Sequence, residues 1–262
     1  MRKITVLLAA IMLSLSAVAQ QKPHTWKITP QVGLTASKFN KDANVSVGYV
    51  FAKEMPVTDE LLPVDDYGTH AGGYMFSQSR GNSGFTIGAE AQYQFNKTFG
   101  LSVGAFYAQQ GVKWNVKGFK DDIKTIGTNG EEKILGQIVF KDNLVLNYNT
   151  LDIPVMANFY VWEGLALKVG LEPQITLSKN VNGEFVIIKD EKEHIGTSNE
   201  YKLRSFGLSL PVGASYEYDN VIIDLRYHLG LTNIEKNEKW SDFDENTDHR
   251  SRMVTLTVGY KL

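Results

Sequence analysis

The sequence contains no cysteine, which excludes disulfide bonds, thiol chemistry and a lipid-modified N-terminal cysteine. Its formal net charge is only −2, with 27 basic and 29 acidic residues, so it lacks the basic excess that is typical of nucleic-acid binding. It also contains no P-loop, HExxH or CxxC motif. We therefore expect no cofactor, no bound metal and no nucleic-acid partner.

Long hydrophobic runs are missing after residue 20, where nothing approaches the roughly 18–20 apolar residues of a membrane-spanning helix. The N-terminus differs: Arg2 and Lys3 precede an apolar run over 4–18, which ends in the small-residue pattern Ala17-Val18-Ala19. This order predicts a secretory signal peptide at 1–19 and an exported domain at 20–262. If that domain sits in a membrane, it must be a closed barrel, because an open sheet edge would leave unpaired backbone groups in lipid.

What the sequence has instead is alternation, with apolar residues at every second position of eight segments. "LDIPVMANFYVWEGLALKVGLEPQITLS" shows it twice, on either side of a short break. Most segments are longer than the about 5–6 residues of ordinary strands and match the roughly 9–11 of a tilted membrane strand. The segments are 26–37, 84–95, 99–110, 151–161, 165–178, 205–218, 221–232 and 254–262.

The connections between segments alternate in length. Three are tight turns, at 96–98, 162–164 and 219–220. Four are long, polar and predicted to be irregular, at 38–83, 111–145, 179–204 and 233–250. Short turns at one end and long loops at the other are typical of outer-membrane barrels, and eight strands place both termini at the periplasmic, short-turn end. Prolines fall inside four segments, where we expect bulges or strand ends: Pro30, Pro154, Pro173 and Pro211.

Alternation alone does not say which face meets lipid, since a soluble lipocalin-like carrier would turn its large apolar residues inward. The second face is rich in Gly, Ser, Thr and Gln, whereas a water-exposed wall would carry more Lys and Glu. Aromatic residues near the short turns are typical of an interfacial girdle: Trp26, Phe95, Phe99, Phe159, Tyr160, Trp162, Tyr216 and Tyr218. We predict an all-β fold, an eight-stranded antiparallel up-and-down transmembrane β-barrel of the cell outer membrane, with short periplasmic turns and long extracellular loops.

The inward face of such a barrel would carry nine ionisable residues, namely Glu90, Asp152, Lys168, Glu172, Glu217, Asp224, Arg226, His228 and Lys261. Unpaired charges in a narrow lumen are costly, so these groups should pair or stay hydrated. One interpretation is a salt-bridged plug, and the other is a proton- or ion-conducting path. Because side chains nearly fill an eight-stranded barrel, the plug is favoured.

"LNYNTLDIPVMANFYVWEGLALKVGLEPQITLS" resembles the central signature of the PorT-like outer-membrane β-barrel family, which is common in Bacteroidetes. The matching positions are Tyr148, Leu151, Ile153, Pro154, Gly170, Pro173 and Ser178. "FTIGAEAQYQFNKTFGLSVGAFYAQQGVKW" resembles the hairpin before it, and the likeness spans about 26–262. The resemblance implies an eight-stranded outer-membrane barrel, but the namesake's role in type IX secretion is not carried over.

Three functions remain open. The first is a structural, binding or assembly protein without catalytic activity, which contacts the lipid bilayer, lipopolysaccharide and a protein partner at its extracellular loops. The second is an outer-membrane hydrolase, because Asp65-Asp66 and Asp248-His249 resemble the water-activating pairs of outer-membrane proteases, although those enzymes have ten strands. The third is the soluble periplasmic carrier.

Overall fold

The computed structural model describes residues 22–41, 45–51, 70–76, 79–126, 132–189, 192–196, 203–234 and 249–262. Across those ranges, no helix is long and apolar enough to cross a membrane. The predicted signal peptide lies outside the described residues and stays a prediction. The regular elements described are the strands β1 Thr25–Phe39, β2 Val45–Phe51, β3 His70–Phe76, β4 Ser79–Gln94, β5 Phe99–Trp114, β6 Lys120–Ile126, β7 Glu132–Phe140, β8 Leu144–Asp152, β9 Val155–Trp162, β10 Leu165–Asn182, β11 Phe185–Lys189, β12 Lys192–Gly196, β13 Phe206–Tyr218, β14 Val221–Gly230 and β15 Ser251–Tyr260.

Nine of these strands form one closed antiparallel sheet. Their order is β13-β14-β15-β1-β4-β5-β8-β10-β9, and the further pairings β13–β10 and β5–β9 close the ring. β8 and β9 both lie between β5 and β10, because they are two halves of one barrel strand that is interrupted at Ile153 and Pro154. The sheet is therefore the predicted eight-stranded antiparallel barrel.

The four prolines lie where ladders are interrupted or end. Pro154 sits in the break between β8 and β9, and Ile153 donates a backbone hydrogen bond of 2.9 Å to Pro173 across it. Pro30 directly precedes Gln31, where the pairing of β1 with β15 ends. Pro211 lies in a gap of the β10–β13 ladder. A missing N–H is tolerated at such places. The expectation of bulges or strand ends holds for Pro154 alone, because Pro30, Pro173 and Pro211 lie inside strands and at no register shift.

The burial pattern shows which face points outward. In β1, Lys27 is 9% exposed and Gln31 5% exposed, whereas Trp26 is 68% exposed and Val32 56% exposed. The same alternation runs through 223–228 of β14 and 254–258 of β15, where apolar side chains are exposed and polar ones buried. The exterior of the barrel is therefore apolar and the lumen polar. This is the predicted orientation, and it contradicts the carrier hypothesis, which needs an apolar interior.

At the end away from the short turns, the polarity of the wall inverts. Along β8, Leu144 and Leu146 point inward and are fully buried, whereas Asn147 and Asn149 are only partly buried. These inward apolar residues belong to a buried cluster of Phe39, Val112, Trp114, Val116, Ile138, Phe140, Leu144, Leu146, Tyr148, Val181, Phe185 and Leu203. An apolar core under a polar wall is what water-soluble β-structure requires. We call this region the extracellular cap. It consists of β6, β7, β11 and β12, together with the ends of β5, β8 and β10 that lie away from the short turns.

The long connections contain more order than the sequence predicted. A hairpin of β2 and β3 occupies part of 38–83, and a four-stranded sheet β12-β11-β7-β6 lies within 111–145 and 179–204. The prediction that these three connections are irregular was wrong, because their strands of 5 to 9 residues are too short to show the long alternation of a membrane-spanning strand. Of the fourth, 233–250, only 233–234 and 249–250 are described.

The barrel lumen as candidate functional site

Four charged side chains form a closed cluster in the lumen. Lys168 Nζ donates to Glu90 Oε1 and to Asp224 Oδ2, both at 2.7 Å. Arg226 contacts both acids as well, with Nη2 at 2.7 Å from Asp224 Oδ2 and Nε at 2.9 Å from Asp224 Oδ1. All four side chains are 5% exposed or less. Two acids and two bases thus neutralise one another, which is the condition for keeping charge in a dry interior.

The barrel geometry explains how these residues meet. Asp224 and Arg226 are two positions apart on β14, so they share the inward face. Gly213 stands between Lys168 and Arg226 in register. A Cβ at Gly213 would lie 2.3 Å from a backbone oxygen of Leu225 and 3.2 Å from Arg226 Cγ. This glycine therefore leaves the space through which the two basic side chains cross the lumen.

A second cluster lies towards the extracellular end. Glu172 Oε1 is 2.9 Å from His228 Nδ1 and accepts hydrogen bonds from Ser209 at 2.9 Å and Gln174 at 3.1 Å. His228 Nε2 is 3.0 Å from the hydroxyl of Thr255. Asp152 is buried nearby, and no described residue hydrogen-bonds its Oδ1.

A cavity of about 20 Å³ adjoins this second cluster and is lined by Asp152, Glu172 and His228, among other lumen residues. That volume is enough for a single water molecule, because one water needs roughly 10–15 Å³ of such space. The acids of the second cluster therefore have room for hydration but not for a ligand of drug size.

A third cluster lies at the periplasmic end. Glu217 accepts from Lys27 at 3.1 Å and also from Lys261. Lys27 Nζ also stands 5.6 Å from the centroid of the Tyr160 ring. Lys27 was not among the nine predicted lumen charges, although it shares the inward face of β1 with Thr29, two positions along the strand.

Tyr160 was wrongly assigned to the aromatic girdle. Its side chain is 6% exposed, and its hydroxyl accepts a hydrogen bond of 2.8 Å from Gln92. The alternation of β9 indicates this inward position, because Tyr160 lies on the same face as the buried Met156 and Asn158. The prediction followed the closeness of Tyr160 to a turn instead.

Neutral hydrogen bonds fill the lumen above and below the charges. Towards the periplasm, Asn158 donates to Gln92 at 3.2 Å and to Ser102 at 3.0 Å. Towards the cap, the Tyr148 hydroxyl donates to Gln110 at 3.0 Å, and Ser251 donates to the same oxygen at 2.8 Å. These layers lead directly into the apolar core of the cap, to which Tyr148 belongs. Side chains therefore occupy the described lumen from the short turns to the cap.

The predicted girdle residues lie on the exterior at the short-turn end. Phe99 is partly buried, and the others are 41% to 69% exposed: Trp26, Phe95, Phe159, Trp162, Tyr216 and Tyr218. Five rings form a continuous row, with centroid distances of 5.1, 4.9, 5.6 and 5.3 Å along Trp26, Tyr93, Phe95, Phe99 and Phe159. Tyr93 was absent from the predicted set. The row therefore lies at one level of the wall, as the aromatic girdle of an outer-membrane barrel does.

The residues of the hydrolase hypothesis are not brought together by the described structure. Asp65, Asp66 and Asp248 lie outside the described residues. His249 is 2% exposed, and its ring stacks on Phe39 at 5.7 Å, so it packs in the core of the cap. Among the described residues, no group of three or more His, Cys, Asp or Glu side chains could hold a metal ion.

Comparison with known proteins gives one family match. A family model for an outer membrane protein beta-barrel domain matches residues 18–236. No curated protein matches the chain.

Solved structures show only distant likeness. Ail, the attachment invasion locus protein of Yersinia pestis, in complex with the heparin analogue sucrose octasulfate, is 11% identical, with 90% of this chain and 99% of that chain covered and a TM-score of 0.41. Neisserial surface protein A is 10% identical, with 90% and 97% covered and a TM-score of 0.38. OprG from Pseudomonas aeruginosa is 11% identical, with 94% and 99% covered and a TM-score of 0.39.

Proposed function

The chain belongs to the outer membrane protein beta-barrel domain family, and from that premise we propose a non-catalytic barrel with a closed lumen and an extracellular cap that serves binding or assembly. Its place is the cell outer membrane. The apolar exterior meets the hydrocarbon, and the aromatic row at the short-turn end lies at the periplasmic headgroup level.

The observation that carries the closed lumen is the central cluster of Glu90, Lys168, Asp224 and Arg226. It lies between a cavity of about 20 Å³ towards the cap and one of about 10 Å³ towards the periplasm. Ion passage needs a continuous hydrated path, and spaces of this size hold about one water each. The cluster therefore supports the plug interpretation over a conducting path.

The cap supports the binding or assembly role. Trp114, Ile138 and Phe185 are among the residues that give it a core of its own, so its surface is held rigid above the membrane. Rigid elements present a contact surface more reliably than free loops. Three large apolar side chains stay exposed in the connection 115–143 and on β11, away from the apolar barrel wall: Phe119, Ile134 and Ile188. Exposed apolar groups in water favour a protein partner at this end.

Within the family, the PorT-like resemblance remains our proposal. Two of its signature positions have structural consequences here: Tyr148 donates a hydrogen bond to Gln110, its partner on the neighbouring strand β5, and the Ile153-Pro154 pair divides β8 from β9. No described contact favours the hydrolase hypothesis, since the only one of its four residues that is described, His249, is buried.

Planar-bilayer recording tests the closed lumen. Purified protein should insert without stepwise current, whereas an open porin in the same membrane preparation gives the positive control. Insertion is verified separately by protection of the barrel from added protease. Steady unitary openings of the inserted wild-type protein would overturn the plug.

A further inference from the structure

Four basic residues form two directly opposed pairs near the extracellular end of the barrel wall. Lys38 of β1 stands opposite Arg252 of β15, and Arg80 of β4 stands opposite Lys113 of β5. The strands β15, β1, β4 and β5 are consecutive in the barrel. The two pairs are also close along neighbouring strands, because the ladder between β1 and β4 ends at Ser37 and Asn82, one residue before Lys38 and two residues after Arg80. We call these four residues the basic row.

This arrangement is unfavourable for the isolated protein. Like charges directly opposite one another in an antiparallel sheet repel and destabilise it. Within the described ranges, no acidic side chain forms an ion pair with any member of the basic row. An anion from outside the chain would remove the repulsion, which is the first indication of a ligand.

The basic row lies just above the apolar wall. Arg252 is two residues beyond Val254, and Lys38 is four residues beyond Leu34. Val254 is 40% exposed and Leu34 68% exposed. At about 3.3 Å per residue, the charges lie roughly 7–13 Å along the strands from these apolar side chains. This is the headgroup level of the outer leaflet, since the row is at the end opposite the short periplasmic turns.

Short side chains lie directly below the basic row. Ala36 and Ser83 stand opposite each other directly below it, so only short side chains separate the charges from the apolar surface. At a comparable height on β8 and β10, Asn149 donates to Ser178 at 2.8 Å, and Lys179 is a single exposed charge without an opposed basic partner. The opposed basic pairs therefore belong to the side of the barrel formed by β15, β1, β4 and β5.

We infer that the basic row binds the phosphate groups of lipopolysaccharide, with the acyl chains lying on the apolar wall below. Arginine forms paired hydrogen bonds to phosphate, and lysine adds a point charge. The row holds two of each, enough to neutralise two phosphate groups of one lipid A. This inference rests on the outer-membrane location and not on the closed lumen, so the two proposals can fail separately.

The test is a titration of the detergent-solubilised full chain with diphosphoryl lipid A, read by native mass spectrometry. One double variant is Lys38→Gln with Arg252→Gln, and the other is Arg80→Gln with Lys113→Gln. At about 1 kcal/mol per basic residue near an anionic lipid surface, each pair should weaken binding about 25-fold. The matched control, Lys97→Gln with Lys179→Gln, removes two exposed lysines from the periplasmic turn and from β10, and it should leave affinity unchanged.

Stability gives a second readout that a misfolded variant could not imitate. Without lipid A, each double variant should unfold at the same temperature as wild type or higher, because repulsion is removed. Addition of lipid A should raise the unfolding temperature of the wild type more than that of either variant. Equal affinity of wild type and variants for lipid A would overturn the inference. Cardiolipin binding as tightly as diphosphoryl lipid A would overturn the assignment to lipopolysaccharide. Monophosphoryl lipid A binding as tightly would overturn the engagement of two phosphate groups.

Discussion

Removal of one charge from the central lumen cluster should lower the free energy of unfolding more than removal of two charges of opposite sign. Glu90→Gln leaves Lys168 and Arg226 facing Asp224 alone, so one positive charge is uncompensated among side chains that are 5% exposed or less. Breaking a buried ion pair in this way costs about 3–5 kcal/mol. Lys168→Met alone leaves an uncompensated negative charge and should cost a similar amount.

The double variant, Glu90→Gln with Lys168→Met, restores neutrality. It keeps the Arg226–Asp224 pair, whose two hydrogen bonds measure 2.9 and 2.7 Å. Replacing a buried ion pair by uncharged side chains of similar volume is often close to neutral. We therefore expect the double variant to be more stable than either single variant.

Urea unfolding from lipid vesicles, followed by tryptophan fluorescence and by heat-modifiable gel migration, measures these differences. With an m-value of about 2 kcal/mol/M, a loss of about 4 kcal/mol lowers the midpoint by about 2 M. Glu163→Gln, in an exposed periplasmic turn, is the control and should leave the midpoint unchanged. Single variants within about 0.5 kcal/mol of wild type would mean a hydrated lumen and refute the reasoning, as would a double variant less stable than both singles.

Two further predictions concern the wall and the cap. Leu225→Arg places a charge in the middle of the apolar exterior of β14 and should lower the free energy of unfolding from vesicles by about 2–4 kcal/mol. Tyr218→Arg, near the turn, should lower it by only about 0–1 kcal/mol. Equal losses would contradict a bilayer around this wall. Trp114→Ala empties a site that is 1% exposed in the cap core and should expose 115–143 to protease while the barrel keeps its heat-modifiable migration. The control, Trp162→Ala, changes an exposed ring at the other end of the barrel and should leave the cleavage of 115–143 unchanged. If Trp114→Ala also left that cleavage unchanged, the packed core of the cap would be refuted.

The sequence determined the barrel because its wall separates two environments over a long span. In β15, Thr255 and Thr257 face a crowded lumen while Val254, Leu256 and Val258 face outward, and no other pattern satisfies both sides. The small uncharged residues of the inward face also indicated the orientation, since the lumen has little space for long charged chains. Both features are local, so they can be read without knowing which strands meet.

The cap was not predictable by the same means. β5 continues to Trp114, but its large apolar residues change sides: Leu101 and Val103 lie outward, whereas Val112 and Trp114 lie inward and are buried. The prediction ended this segment at 110 because its lipid-facing pattern stopped there. A strand whose apolar residues change from the outward to the inward face has left the membrane. This change in β5 was visible in the sequence but was not used in the prediction.

Pairing within the lumen was beyond the reach of periodicity. Lys27 and Glu217 are 190 positions apart, and they meet only because ring closure fixes the height of β1 against β13. Alternation tells which face a residue occupies but not its height along the barrel axis. The nine predicted charges could therefore be placed inside, but their partners could not be named.

The absence of cysteine permits the most direct test of the central claim that lipid contacts the apolar face. Single cysteines at each position from 254 to 259 in β15 would carry a spin label in reconstituted vesicles. We predict that labels at Val254, Leu256 and Val258 are accessible to oxygen and shielded from a water-soluble nickel complex, with low oxygen accessibility at Thr255, Thr257 and Gly259. High oxygen accessibility at the threonine positions, or no alternation at all, would contradict the account.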